Sequence, residues 1–254
     1  MNDISYVLRN CREDFTSFKL KDKFFRWPAK GTVTCDDFVA NGQCGNGLHG
    51  YLNGVGDGRL LKLGEAQWLL VEVITSEINH IDGCVKFPRG NVIFCSKNRA
   101  EVISELERIS PAAKHMAVIG AERMDLKSYS TVVVGDFGSA TAGNFGNAVA
   151  GIYGFAKTGE NGSAMVGSHG QAIAGPLGLA TAGDEGIARV GYGGHAVVGS
   201  RGQASAGYSG TITFKFFDNG FYKSQSFFVD DKDIKANILY RFNGTGLKMS
   251  RSSD

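Results

Sequence analysis

Cys44, His49, His80 and Cys84 are the residues whose types suit chemistry, since two thiols and two imidazoles are zinc ligands in principle. Their spacings are Cys-x4-His and His-x3-Cys, looser than the paired Cys-x2-Cys of a structural zinc site. Asp57 or Cys35 would complete such a set equally well, so these four are weak metal candidates and no metal or cofactor is expected. A nucleophile-and-base pair of Cys44 and His49 lacks an evident third member to orient the base. The simpler expectation is a reduced, partly buried Cys44, with His49 holding a Gly-rich loop by hydrogen bonds. Asn53-Gly-Val-Gly-Asp-Gly58 has glycines that suit a phosphate cradle but not the Lys-Ser/Thr that ends one, so it reads as a tight loop.

The element that dominates the chain is a repeat. From Gly138 to Ser209 nine blocks of eight follow Gly-x-Ala-x-(Ala/Thr/Val)-Gly-x-x, with Gly at places one and six and Ala at place three in every block. A fixed short period is the signature of a solenoid. Small residues two apart follow the alternation of a strand, so places three and five are expected inside and places two and four outside. The two glycines flank a corner and are expected there for backbone angles that other residues avoid. Two blocks then make one coil with a thin Ala/Gly-rich core. Collagen-like winding needs a three-residue rhythm, which this tract lacks. Calcium-binding rolls carry Asp ladders, whereas Asp136 and Asp184 are isolated.

The flanking segments predict an organisation around this rod: an α+β head domain over 1–110, a junction and N-terminal cap coil over 111–137, and the octad β-solenoid over 138–209. A C-terminal capping hairpin with its cover follows over 210–249, then a frayed tail over 250–254. In the head, Thr32-Val-Thr-Cys, Trp68-Leu-Leu-Val-Glu-Val-Ile and Asn91-Val-Ile-Phe-Cys read as strands. Asn98 with Glu101 reads as a capping box opening a helix that Pro111 ends. Ala117-Val-Ile-Gly120 resembles half an octad, and 130–137 fits the octad frame with Val132 and Val134 inward. Asp218-Asn219-Gly220 between aromatic-rich strands is a hairpin signal.

Composition narrows the partners. With 27 Lys and Arg against 25 Asp and Glu, the formal charge is +2, and no basic stripe marks a nucleic-acid or anionic-membrane surface. No apolar run is long enough to span a membrane. The opening MNDISYVLRNCRED carries charges where a signal peptide needs its apolar stretch, which predicts a cytoplasmic protein. Five cysteines, none in the octads, then read as reduced thiols.

Cys44-Gly-Asn-Gly-Leu-His-Gly50, followed by Trp68-Leu-Leu-Val-Glu-Val and Val85-Lys-Phe-Pro, resembles a group of uncharacterised phage and prophage proteins. In that group such a domain precedes Ala-Thr-Ala-Gly-x-x-Gly octads and a closing hairpin. The resemblance implies a phage or mobile-element protein working in the host cytoplasm, and transfers no activity. The octads are also similar to those of bacterial ice-nucleation proteins, which implies their shape, two octads per coil, without their Thr ladders. Gly47-Leu-His-Gly50 resembles small ADP-ribosyltransferase-like domains, although no matching catalytic Glu accompanies it.

The outward places carry the functional expectation. One face is expected to present Phe155, Lys157, Ile173, Ile187 and Arg189, the other Val149, Met165, Leu179 and Val197. Apolar residues on flat sheets favour docking. The reading is a non-catalytic protein-interaction module that docks a host protein, for example a defence or regulatory component, or self-assembles into an oligomer. Its alternatives are an enzyme or metal-binding head centred on Cys44 and His49, and a virion tail or adhesin component.

Overall fold

The computed structural model describes residues 3–17, 25–58 and 66–249, mostly strands with one α-helix, in two units divided between Ala121 and Glu122. Among the described residues no helix is long and apolar enough to cross a membrane.

The first unit contains β1 (Ile4–Arg12), β2 (Gly31–Thr34), β3 (Leu48–Leu52), β4 (Ala66–Ile74), β5 (Asn79–Ile81), β6 (Cys84–Phe87), β7 (Arg89–Ser96) and α1 (Arg99–Ile109). The strands form one sheet, ordered β2-β7-β4-β1-β3-β6-β5, with antiparallel neighbours throughout. One core gathers Val7, Cys11, Trp27, Leu48, Leu69 and Phe87. α1 packs on β4 and β7 and buries Val102, Ile103 and Leu106. Its cap is Asn98, whose side chain accepts from the Ala100 N–H at 3.0 Å.

One expectation is refined here and another changes. His49, expected to hold the Gly-rich loop, does so from within β3, because 48–52 closes the gap between β1 and β6. Ala117-Val-Ile-Gly120 is no part of the repeat: Val118 bridges to Val55, the Ile119 N–H donates to Gly54 O at 2.9 Å, and both side chains are buried in the first unit.

The second unit is a β-solenoid of about six coils. Its strands are β8 (Glu122–Asp125), β9 (Thr131–Val133), β10 (Ser139–Ala142), β11 (Asn147–Ala150), β12 (Phe155–Lys157), β13 (Ser163–Val166), β14 (Gln171–Ala174) and β15 (Leu179–Ala182). They continue through β16 (Ile187–Val190), β17 (His195–Val198), β18 (Gln203–Ser205), β19 (Thr211–Asp218), β20 (Phe221–Phe228), β21 (Tyr240–Phe242) and β22 (Leu247–Met249). Even-numbered strands β8 to β18 stack in parallel in one sheet and odd-numbered β9 to β19 in the other, so each coil takes two octads. Parallel stacking begins at Glu122, opposite Ser139 and one residue out of the octad register, and the sixteen-residue register begins at Thr131, opposite Asn147. Ala140 and its place-three equivalents through Ala204 are all 0% exposed, and place five, from Ala142 to Ala206, is buried in every block. Alternation therefore decides the inside of the rod. β19 and β20 form an antiparallel hairpin across Asn219 and Gly220, both at positive φ.

The corners depart from expectation. The left-handed angle falls on place eight, which is Gly only at Gly193: Phe145 (56°), Tyr153 (55°), His169 (59°) and Leu177 (55°) all adopt it. The glycines at places one and six have no such angle in any block; what they lack is room. A Cβ on Gly146 would stand 2.9 Å from each of Ala142 Cβ, Gly143 O and Ser130 O, and one on Gly143 would stand 2.3 Å from Leu126 O. From Phe145 to Glu185 the place-eight residues are held in this costly conformation by the adjacent coil: Phe145 N–H donates to Glu160 O at 2.8 Å, and Leu177 N–H to Tyr192 O at 2.8 Å.

Candidate interaction surface

In-register stacking turns every octad place into a row along the rod. Ser139, Phe155, Gln171, Ile187 and Gln203 form one outward row, beside Thr141, Lys157, Ile173, Arg189 and Ser205. On the other sheet, Val149, Met165, Thr181 and Val197 share a row, and Leu179 stands in the row beside it. Lys157, Met165 and Leu179 are exposed, whereas Phe155, Ile173, Ile187, Arg189 and Val149 are half-buried. Neighbours about 4.8 Å away along the ladder shade one another. Val197 is corrected: it is only 9% exposed, set between Thr181 and Thr213 at the same register, with His195 Nε2 2.8 Å from Thr213 Oγ1 beside it.

The most exposed large apolar residues of the octads lie at the corners, which the sequence reading passed over. Tyr129 and Phe145 stack at 5.1 Å between ring centroids, and Leu177, Tyr192 and Tyr208 follow on the same edge, all strongly exposed. The opposite edge grades from aromatic to charged. Phe137 stacks on Tyr153 at 5.3 Å, and Tyr153 on His169 at 4.7 Å. His169 Nδ1 lies 3.6 Å from Glu185 Oε2, and Glu185 pairs with Arg201. The signal was present in the sequence as large side chains at the corner places, Tyr129, Phe145 and Leu177 at place eight and Tyr192 and Tyr208 at place seven. It was masked because positive φ is normally a position for Gly or Asn.

Place seven fastens these corners. Asp136 Oδ1 accepts the Ile152 N–H at 2.8 Å, Asn144 Oδ1 the Glu160 N–H at 3.0 Å and Asp184 Oδ1 the Ser200 N–H at 2.8 Å. Each bond reaches one coil onward, so both aspartates serve as staples.

The chemistry-bearing residues of the first unit do not assemble into a metal site. Among the described residues no three His, Cys, Asp or Glu side chains converge on a common point, and no disulfide joins the cysteines. Cys44 is exposed rather than partly buried, because it lies in the loop ahead of β3. His49 Nε2 accepts the Gly45 N–H at 3.3 Å. Burial holds the imidazole below its ordinary pKa, with the nearby Arg9 charge acting the same way, while a hydrogen bond with the Gly47 backbone opposes them. In the 53–58 loop, Gly54 lies against Val118, Leu106 and Leu8, and Gly56 against Tyr51, so these glycines serve packing.

A buried lysine, marked in the sequence only by Val85-Lys-Phe-Pro, organises this loop. Lys86 is 0% exposed and pairs across from His49. Its Nζ donates to Asn41 Oδ1 at 2.6 Å, Gln43 O at 2.8 Å and Gly45 O at 3.3 Å, matching three donors with three acceptors. The geometry supplies a fixed loop in the first unit and, on the second, one apolar corner edge and one aromatic-to-charged corner ladder flanking ordered sheet rows. Compared with protein-family models, curated proteins and solved structures, the chain matches none.

Proposed function

We propose that the chain is a non-catalytic protein-interaction module, encoded by a phage or mobile element and acting in the host cytoplasm. A rigid solenoid docks a host protein, such as a defence or regulatory component, or a further copy of itself. In this reading the first unit is an α+β head, and the β19–β20 hairpin with the segment behind it caps the rod. One observation carries the proposal: Tyr129, Phe145, Leu177, Tyr192 and Tyr208 expose large apolar surface along one straight edge. Their backbones are locked by coil-to-coil hydrogen bonds, so little ordering is lost on docking.

The test uses the purified chain as bait in host extract, with Tyr192→Glu, Leu179→Glu and His49→Ala variants that remain folded by circular dichroism. The expected result is one protein enriched by the parent and by His49→Ala, and lost with a corner or face variant. Enrichment insensitive to Tyr192→Glu and Leu179→Glu overturns the solenoid as the docking element. Loss only in His49→Ala transfers the role to the first unit.

A further inference from the structure

The least protected backbone of the second unit is β20. It is the terminal strand of its sheet and, among the described residues, pairs only with β19. Seven of its eight residues are exposed, the eighth, Phe227, being half-buried; Tyr222 is 87% exposed and Phe221 70%. Pairing with β19 runs through eight positions without a shift, so no bulge twists the outer edge away. The strand has no proline and a single charge, Lys223. Lys223 is the strand's one device against strand addition, and its charge is paired with Asp218 at 2.6 Å.

We propose that β20 is a self-association edge, at which two copies of the chain pair β20 to β20, antiparallel, about a two-fold axis through Ser224. This extends the interaction reading by naming a second copy as the partner at this strand. Symmetry restricts the registers. A closed dimer needs an axis normal to the sheet and passing through a residue opposite itself, since other registers set the inner face of one copy against the outer face of the next. Centring on Lys223 opposes two like charges. Centring on Gln225 sets Lys223 against the aromatic Phe227 and leaves Phe221 opposite Val229, past the end of the strand. Centring on Ser226 leaves Phe221, Tyr222 and Lys223 opposite residues past the end of the strand.

The Ser224 register pairs Phe221 to Phe227, leaves only Phe228 opposite the turn residue Gly220, and is the one register that gives Lys223 a neutral polar partner. It sets Phe221 against Phe227 of the second copy twice, an aromatic cross-strand pair, and Lys223 against the neutral acceptor Gln225 twice. Ser224 meets itself, a small hydroxyl pair. The seven-stranded sheet ending in β20 then continues across the junction without an open edge.

The experiment is sedimentation velocity of the full chain over a concentration series, with Q225K and K223E/Q225K. The parent is expected to dimerise. Q225K opposes like charges at both symmetric positions and weakens the dimer about tenfold. K223E/Q225K opposes unlike charges there and returns the affinity to within about threefold of the parent. A parent monomeric up to about 100 µM, or Q225K associating as tightly as the parent, overturns the proposal. Weakening in Q225K without recovery in the double variant overturns the register. A monomer whose corner variants still lose the enriched protein leaves the interaction reading standing.

Discussion

Leu177 carries the left-handed φ of 55° at its corner, while Gly178, the invariant residue beside it, does not. A Cβ on Gly178 would meet Ala174 Cβ at 2.8 Å and Gly162 O at 2.8 Å. The residue free to adopt the unusual angle and the residue that needs it are neighbours, and the repeat assigns glycine to close approach.

Adjacent substitutions therefore have opposite signs. Gly178→Ala forces coils apart and is expected to cost roughly 3 kcal/mol, at the upper end of core overpacking because the close contacts include backbone. Leu177→Gly removes a left-handed penalty of about 1 kcal/mol against a similar loss of chain entropy, leaving stability within about 0.5 kcal/mol of the parent. Paired denaturant titrations measure both.

Two buried cations in the first unit also divide. Lys86 is saturated by three acceptors, so Lys86→Met strands them and is expected to cost roughly 3 kcal/mol. Arg9, 8% exposed and lying over Trp27, has no hydrogen-bond partner at Nε. Arg9→Met removes a desolvated charge and is expected to leave stability unchanged or raise it by about 1 kcal/mol. Thermal melts of the two variants compare them directly.

His49 gives stability an acid dependence. Its folded pKa is depressed below 6.5, chiefly by burial, so below pH 6.5 the unfolded chain binds the proton more readily. Stability is full above pH 6.5 and falls as the pH drops toward the folded pKa. Urea midpoints between pH 7 and pH 5 are expected to decline in the parent and to decline less in His49→Gln. Shifted carboxylates such as Glu77 act below that window.

Thiol labelling separates the cysteines. Cys44 is exposed, while Cys11 is buried with its thiol pushed up to about 12, mainly by burial. Alkylation at pH 8 followed by peptide mapping is expected to modify Cys44 first and to reach Cys11 only on unfolding.

The sequence by itself determined the rod: alanine at place three and small residues at place five make the inside of a coil, and only tight two-octad winding shuts so thin a core. It also determined α1 through Asn98, and the 219–220 turn, since both depend on residues adjacent in the chain. Tertiary structure decided the rest. Which corner residue takes positive φ depends on a hydrogen bond with the next coil, fifteen residues away, so the glycines announce a corner without disclosing their part in it. The burial of Val197 depends on Thr181 and Thr213, the place of His49 on strands β1 and β6, and the worth of Lys86 on a loop more than forty residues earlier. Long-range register sets those environments, and it has no short-range signature in the chain.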